Sequence, residues 1–162
     1  MHTPYADIER LYAFFATWEF WTAEVLESHV SYPMLVYFRS QSAGQSWITA
    51  LAVVLEAATL ACAVVPGADR REPYFVYRRG RQALSAIAGR LRAPPGAPRK
   101  LDREEFASIY TCLREDQLQL VDLPSAWERF SELHASYAST LQGLLDYLLA
   151  PDGFWARSAE LD

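Results

Sequence analysis

Reactive and disulfide-forming residues are scarce in this chain. Its 162 residues contain two cysteines, Cys62 and Cys112, and one lysine, Lys100. Two cysteines this far apart make no disulfide framework, and each lies in a helical pattern with apolar neighbours. They are expected to be reduced, packed thiols. Seven glycines occur singly, so there is no Gly-rich phosphate loop. Cys-x-x-Cys, His-Glu-x-x-His and Gly-x-Ser-x-Gly are all absent, which leaves zinc and an activated serine without a signature. Only three histidines are present. Two of them form Glu27-x-His29 and Glu132-x-His134, a spacing that splits the side chains across a helix instead of stacking them on one face. A di-iron bundle needs Glu-x-x-His pairs. The expectation is a non-enzymatic domain without metal or cofactor.

Long alternating β patterns are also missing; Ser31 to Phe38 is the best strand candidate. No signal peptide is expected from the first residues, because Met1 to Arg10 carries Asp7 and Glu9 in place of a basic start and an apolar run. One long hydrophobic run exists, from Ile48 to Val65. Its 18 residues would span about 27 Å as a helix, just short of a bilayer core of roughly 30 Å. Glu56 sits in its middle, where a carboxylate would cost on the order of 2.5–3.5 kcal/mol at mid-bilayer. A buried central helix is the better reading.

What is abundant is apolar and aromatic material. Hydrophobic residues make up 51% and charged residues 22%, with five Trp, nine Tyr and eight Phe. That is globular composition, and the length suits one domain with a sizeable core. The patterning predicts an all-α, single-domain irregular bundle of about five to seven helices around a central apolar helix at about 47–65. The first helix runs from Pro4 or Ala6 to about Val30, with Ile8, Leu11, Phe15, Trp18, Val25 and His29 on one heptad stripe that also includes Thr22. Pro33 breaks it. A short helix, about 34–40, and a polar loop, 41–45, lead to the central helix.

After the stop at Pro66-Gly67, a helix is expected over about 73–92. The Pro/Gly-rich loop at about 93–100 is the expected mobile spot. Asp102 caps a helix over about 103–118, with Glu105 three residues on. A last long helix is expected over about 125–149, its stripe formed by Trp127, Phe130, His134, Tyr137, Leu141, Leu144 and Leu148. One echo occurs: His29-Val30-Ser31-Tyr32 resembles His134-Ala135-Ser136-Tyr137, each downstream of a Trp-Glu pair at different spacing, as chance also produces.

The net charge of −5 hides a strong segregation. Residues 70–103 have a local charge of +8, and residues 104–162 one of −8. The basic segment is almost all arginine: Arg70, Arg71, Arg78, Arg79, Arg81, Arg90 and Arg92 form its candidate surface patch. Such a block can face anionic lipid headgroups or a nucleic acid, pair with the acidic last third, or be a solvated face. Of the two partner classes, lipid is favoured over nucleic acid. Most of the arginines are expected to be exposed, since a guanidinium needs water or a carboxylate.

A second candidate is the polar cluster around the break at Pro33: His29, Tyr32, Arg39, Gln41, Gln45 and Ser46, with Glu56 from the central helix. Such a cluster can line a pocket for a small molecule or lipid. It can equally satisfy the free backbone groups of two helix ends. His29 is expected to be buried near the end of its helix, with a polar contact. Its pKa is pulled down by burial and up by the helix terminus, so the direction of its shift is open. Glu56 is expected as a buried carboxylate.

The same stretch carries a resemblance. Glu27-Ser28-His29, Ser31-Tyr32-Pro33, Tyr37-Phe38-Arg39-Ser40-Gln41 and Gln45-Ser46-Trp47 are similar to a segment of bacterial two-pore-domain or ion-channel-like potassium-channel proteins, downstream of their pore helices. The match covers about an eighth of the chain. Those proteins often carry a histidine after the Gln41 position, where this chain has Ser42, which weakens a metal or proton role there. The resemblance implies a cytoplasmic, membrane-tethered regulatory or assembly module with no catalytic activity. Its partners would be the transmembrane part of its parent protein and an anionic lipid surface; homo-oligomers are compatible with it. The chain has no Thr-Val-Gly-Tyr-Gly filter, so it cannot conduct ions by itself.

Overall fold

The structure is a computed structural model that describes residues 4–32, 47–67, 71–98, 101–115 and 118–148; within α1, the side chains of residues 4–9, 11 and 30 are outside the description. Six helices follow in order: α1 (Pro4–Ser31), α2 (Trp47–Val64), α3 (Arg71–Leu91), α4 (Arg103–Glu115), α5 (Leu123–Ala135) and α6 (Ala138–Tyr147). No strand occurs among the described residues. The all-α bundle expected from the patterning is what the chain adopts. The short helix expected at 34–40 and most of the strand candidate at 31–38 lie outside the described residues.

The central helix is α2. Its apolar residues point in every direction, and that pattern is stable only when several neighbours cover them. α3, α5, α6 and α1 all pack against it. Ile48, Leu51, Ala52, Leu55 and Ala58 are fully buried. α2 is the one helix among the described residues that is long and apolar enough to cross a membrane by length and composition, but most of its span is enclosed by its own bundle.

Two hydrophobic clusters meet on it. The larger joins α2 to Phe15 and Val25 of α1, Val76 and Leu84 of α3, and Leu141 and Leu144 of α6. The smaller joins the α2 end, at Ala63 and Val64, to Phe106 and Tyr110 of α4 and Phe130 of α5. The second is tied by backbone as well: Val121 N–H donates to the Val64 carbonyl at 2.9 Å, and the Tyr110 hydroxyl to the Val121 carbonyl at 2.6 Å.

α1 lies mainly on α3. Of the stripe expected for it, Phe15, Thr22, Val25 and His29 are inside and Trp18 is half-buried, while the side chains of Ile8 and Leu11 lie outside the description. Thr22, a hydroxyl in that apolar row, donates back to the Trp18 carbonyl at 2.7 Å, which satisfies it within the helix.

α3 ends in a Schellman motif. Ala93 N–H bonds the Ala88 carbonyl at 3.0 Å and Arg92 N–H the Gly89 carbonyl at 3.3 Å. Arg92 occupies the left-handed position with φ of 54°, the only non-glycine positive φ among the described residues. The Pro/Gly loop that follows does not hang free. Gly96 N–H donates to the Ser139 carbonyl at 2.8 Å. Gly143 in α6 comes so close that a Cβ there would collide with the Pro94 carbonyl oxygen.

Two expectations need correction. The long last helix is two helices, α5 and α6, broken at Ser136–Tyr137. The end of α5 tightens, with Ser136 N–H reaching the Leu133 carbonyl and Tyr137 N–H the His134 carbonyl, both at 3.2 Å. Ser136 Oγ also donates to the Leu133 carbonyl at 2.7 Å. Tyr137, with φ −136° and ψ −15°, turns its ring into the core. The apolar spacing runs unbroken across this point, so periodicity alone does not reveal it. Asp122, just before α5, is its N-cap, accepting from Ser125 N–H at 3.0 Å.

The second correction concerns Cys112, which is exposed, while Cys62 is buried. α4 buries Phe106 and Tyr110, four residues apart, and Cys112 lies two residues off that stripe. Burial pushes the Cys62 thiol up to about 12, against the opposing field of Arg129. It is an inert core thiol.

Candidate functional site

The amphipathic α3 buries Pro73, Val76, Tyr77, Gly80, Ala83, Leu84 and Ile87, a regular i, i+3, i+4 row. Its arginines fall on the opposite side by spacing. Arg71, Arg78, Arg79, Arg81, Arg90 and the adjacent Arg92 are all exposed; Arg70 lies outside the described residues. At 100° per residue, Arg71, Arg78, Gln82 and Ser85 run down the middle of the outward face. Arg79 and Arg90 form one edge; Tyr74 and Arg81 form the other. Two guanidinium groups rest on rings of the same helix, Arg71 over Phe75 at 5.9 Å and Arg81 over Tyr77 at 5.7 Å. None of these arginines is buried in the bundle, so the basic block is a surface feature.

On the Arg81 edge, α3 meets the bend between α5 and α6. A cleft of about 580 Å³ opens there, lined by Arg78, Arg81, Gln82 and Ser85 from α3 and by Ser136 and Thr140 from the bend. Leu84, Ala86 and Tyr137 complete it. Among the described residues, no carboxylate lines it.

Hydrogen bonds fix its floor. Ser136 has a single hydroxyl proton, which goes to the Leu133 carbonyl, so the Tyr77 hydroxyl is the donor in the 2.8 Å Tyr77–Ser136 bond. By the same reasoning, Thr59 donates to the Leu55 carbonyl at 2.7 Å, and the Tyr137 hydroxyl donates to Thr59 Oγ1 at 3.0 Å. Burial pushes the Tyr137 hydroxyl well above its ordinary range, reinforced by the charge of Glu56. The cleft therefore rests on two tyrosines, Tyr77 and Tyr137, whose hydroxyls are both engaged.

The cluster expected around the Pro33 break is only partly within the described residues, since Arg39, Gln41, Gln45 and Ser46 fall outside them. Of the rest, His29 is buried, 9% exposed, and Tyr32 is 68% exposed. His29 Nδ1 lies 2.9 Å from the Val25 carbonyl, and its ring packs on Trp47 at 4.2 Å. Because a carbonyl only accepts, Nδ1 carries the proton. Burial lowers its pKa, and the Val25 bond opposes that only in part. The direction left open by the sequence is thus downward.

Glu56 is buried at 6% exposure, but it stands nine residues beyond Trp47 on α2, about 13 Å further along the axis. The structure does not bring it together with His29. Its charge is felt instead at Tyr137.

His134 is half-buried, stacked on Phe130 at 5.4 Å and edge-on to Tyr137 at 5.3 Å. Burial lowers its pKa as well. Both His-x-Ser-Tyr segments lie at a helix end, at Ser31 and at Ala135.

Ser136, Thr140, Gln82 and Ser85 do not stand out as site residues in the sequence. Arg78, Arg81, Gln82 and Ser85 follow i, i+3, i+4, i+7, a polar stripe that marks one line of α3. Ser136 and Thr140 join it only through the bend. Among the described residues, no group of three or more metal-ligating side chains is close enough to hold an ion. No protein-family model, no curated protein and no solved structure matches this chain.

Proposed function

We propose that this domain is a non-enzymatic module that docks on an anionic membrane surface through the arginine face of α3. The observation that carries the reading is the projection of six arginines from one helix and its end, all exposed. Each basic side chain close to an anionic leaflet contributes about 1 kcal/mol. Tyr74, 47% exposed on the same face, is the kind of amphipathic ring found at headgroup level. The acids of the last third sit on other helices, with Glu104, Glu115, Glu128, Glu132 and Asp146 exposed. Opposite charge on opposite elements would orient the module with its basic side down.

Arg92 points the same way. An arginine in the left-handed conformation is disfavoured by roughly 1–2 kcal/mol relative to the right-handed one, where glycine is the usual occupant. Keeping a guanidinium at that position suggests a use for its charge. The likeness of the Glu27–Trp47 segment to channel-like proteins suggests a setting: a cytoplasmic regulatory or assembly module of a larger membrane protein.

Vesicle co-sedimentation tests the reading. Phosphatidylcholine vesicles should leave the protein in solution, and equimolar phosphatidylglycerol should pull it down. Replacing Arg71, Arg79 and Arg90 together by Gln should weaken that binding about a hundredfold. Binding should fade as salt shortens the screening length from about 10 Å at 0.1 M to about 3 Å at 1 M. Equal sedimentation with both vesicle types, or no effect of the triple substitution, would remove the proposal.

A further inference from the structure

We infer that the cleft between α3 and the α5–α6 bend is a binding site for a phosphate monoester. It does not rest on the membrane reading, because a soluble ligand can occupy it whether or not the outer arginines meet a bilayer. The cleft holds two guanidinium groups, Arg78 and Arg81, one turn apart on the same line of α3. Guanidinium forks match the oxygens of a phosphate in spacing and plane. Arg81 is not free to sweep: its Cζ sits 5.7 Å from the centre of the Tyr77 ring, and Tyr77 is itself held by Ser136 at 2.8 Å. The group that would meet the ligand is therefore positioned from behind by a residue in the core.

The remaining lining sharpens the chemistry. Gln82, Ser85 and Thr140 add neutral polar groups around the two cations, and no acid among the described residues lines the space to compete for them. An anion is thus favoured, and a cation would find no ligand set. The volume of about 580 Å³ falls in the usual range for small-molecule sites, roughly 300–1,000 Å³, and exceeds the need of a bare ion. The exposed Ala86 supplies an apolar contact for an organic body attached to the phosphate, with the buried Leu84 and Tyr137 closing the cleft from behind. That body can be a soluble metabolite or the headgroup end of a lipid, since both present the same ester.

Calorimetric titration separates these sources and tests the site. The probes are inorganic phosphate, glycerol 3-phosphate, uncharged glycerol, and vesicles of phosphatidylcholine alone or with equimolar phosphatidic acid or phosphatidylglycerol. Saturable one-to-one binding of glycerol 3-phosphate, tighter than inorganic phosphate and absent for glycerol, supports a soluble ester. A stronger response to phosphatidic acid vesicles than to phosphatidylglycerol vesicles of the same molar fraction, with none to glycerol 3-phosphate, supports a lipid headgroup. In either case Arg81→Gln should weaken binding about tenfold or more, and Ser85→Glu, which sets an acid on the exposed lining, should abolish it. Arg79→Gln and Arg90→Gln, on the opposite edge of α3, should leave glycerol 3-phosphate binding, and any preference for phosphatidic acid over phosphatidylglycerol, unchanged, although each weakens binding to anionic vesicles in general. Both cleft positions are exposed, and unchanged circular dichroism would confirm the fold of each variant. Equal loss in cleft and edge variants, or no binding by any phosphate probe, overturns the site. Loss of phosphatidylglycerol binding in the Arg71, Arg79 and Arg90 triple variant, with glycerol 3-phosphate binding intact, would show the two proposals to be separable.

Discussion

Replacing Gly143 by Ala should destabilise the domain, although alanine is the better helix former. In a free helix the change would gain about 0.8–1.0 kcal/mol. Here the new Cβ would collide with the Pro94 carbonyl oxygen, and would sit 3.0 Å from the Pro94 carbonyl carbon and 2.9 Å from Gly96 N. All three are backbone atoms of a loop rich in proline. None is the far end of a flexible side chain. To reach ordinary contact, the loop must retreat by more than about 1 Å. That retreat breaks the 2.8 Å bond from Gly96 N–H to the Ser139 carbonyl, which contributes about 0.5–1.5 kcal/mol. Overpacking costs a further 1–3 kcal/mol or so. The sum outweighs the propensity gain and leaves a net loss of about 1–3 kcal/mol.

Thermal melts followed by circular dichroism would read this as a drop of roughly 2–4 °C for each kcal/mol. Gly89→Ala is the matched control. It lies in α3 with nothing within 4 Å of where its Cβ would stand, so it should gain about 0.5–1 kcal/mol. If both substitutions raise the melting temperature alike, the 93–98 loop is not docked on α6, and the argument from close approach fails.

Arg92→Gly should stabilise the domain by about 0.5–1 kcal/mol by relieving the left-handed arginine, while weakening sedimentation with anionic vesicles; lower stability would contradict the Schellman assignment. His29→Ala should lose about 1–3 kcal/mol, because it removes a buried ring packed on Trp47 and one donor to the Val25 carbonyl, which keeps the Ser28 hydroxyl at 3.2 Å; His29→Gln should recover part of that loss, and unchanged melts in both would refute a structural role. Burial holds the pKa values of His29 and His134 below the ordinary histidine value of 6.5. Below about pH 6.5 the unfolded chain then binds more protons than the folded one, so stability should be full above that pH and fall on acidification through the depressed values. A melting temperature that rises between pH 7 and pH 5 would contradict this.

Most of the architecture was legible because it depends on period. The stripe of Phe15, Thr22, Val25 and His29, the all-round apolar run of α2 and the i, i+3, i+4 row of α3 each have one packing solution, and the chain takes it. Caps were legible where chemistry is local: Asp102 accepts from Glu105 N–H at 2.8 Å, as its position three residues ahead implies. The break at Ser136–Tyr137 was not. Ser and Tyr are tolerated inside helices, and Tyr137 keeps the spacing of its stripe. The break coincides with tertiary contacts: the buried Tyr137 donates to a hydroxyl on Thr59, 78 residues away in sequence. Cys112 was misplaced for a related reason, since a short helix such as α4 buries a narrow stripe and leaves other apolar positions in water.

The site divides along the same line. The arginine face needs only one helix, so charge counting found it. The cleft needs two elements, and its second wall exists because α5 and α6 do not continue as one helix. A straight helix over 125–149 would carry Ser136 and Thr140 four residues apart on one face, but without the turn that lets Ser136 accept from Tyr77. The residue that makes the bend, Tyr137, also forms the floor of the cleft. Tyr137→Phe separates those roles: it keeps the ring as floor and removes only the donor to Thr59, which retains its own bond to the Leu55 carbonyl. The loss should be about 0.5–1.5 kcal/mol, with glycerol 3-phosphate binding retained if the bend persists through packing. Loss of binding without loss of stability would instead place the Tyr137 hydroxyl, and not the shape it supports, at the centre of the site.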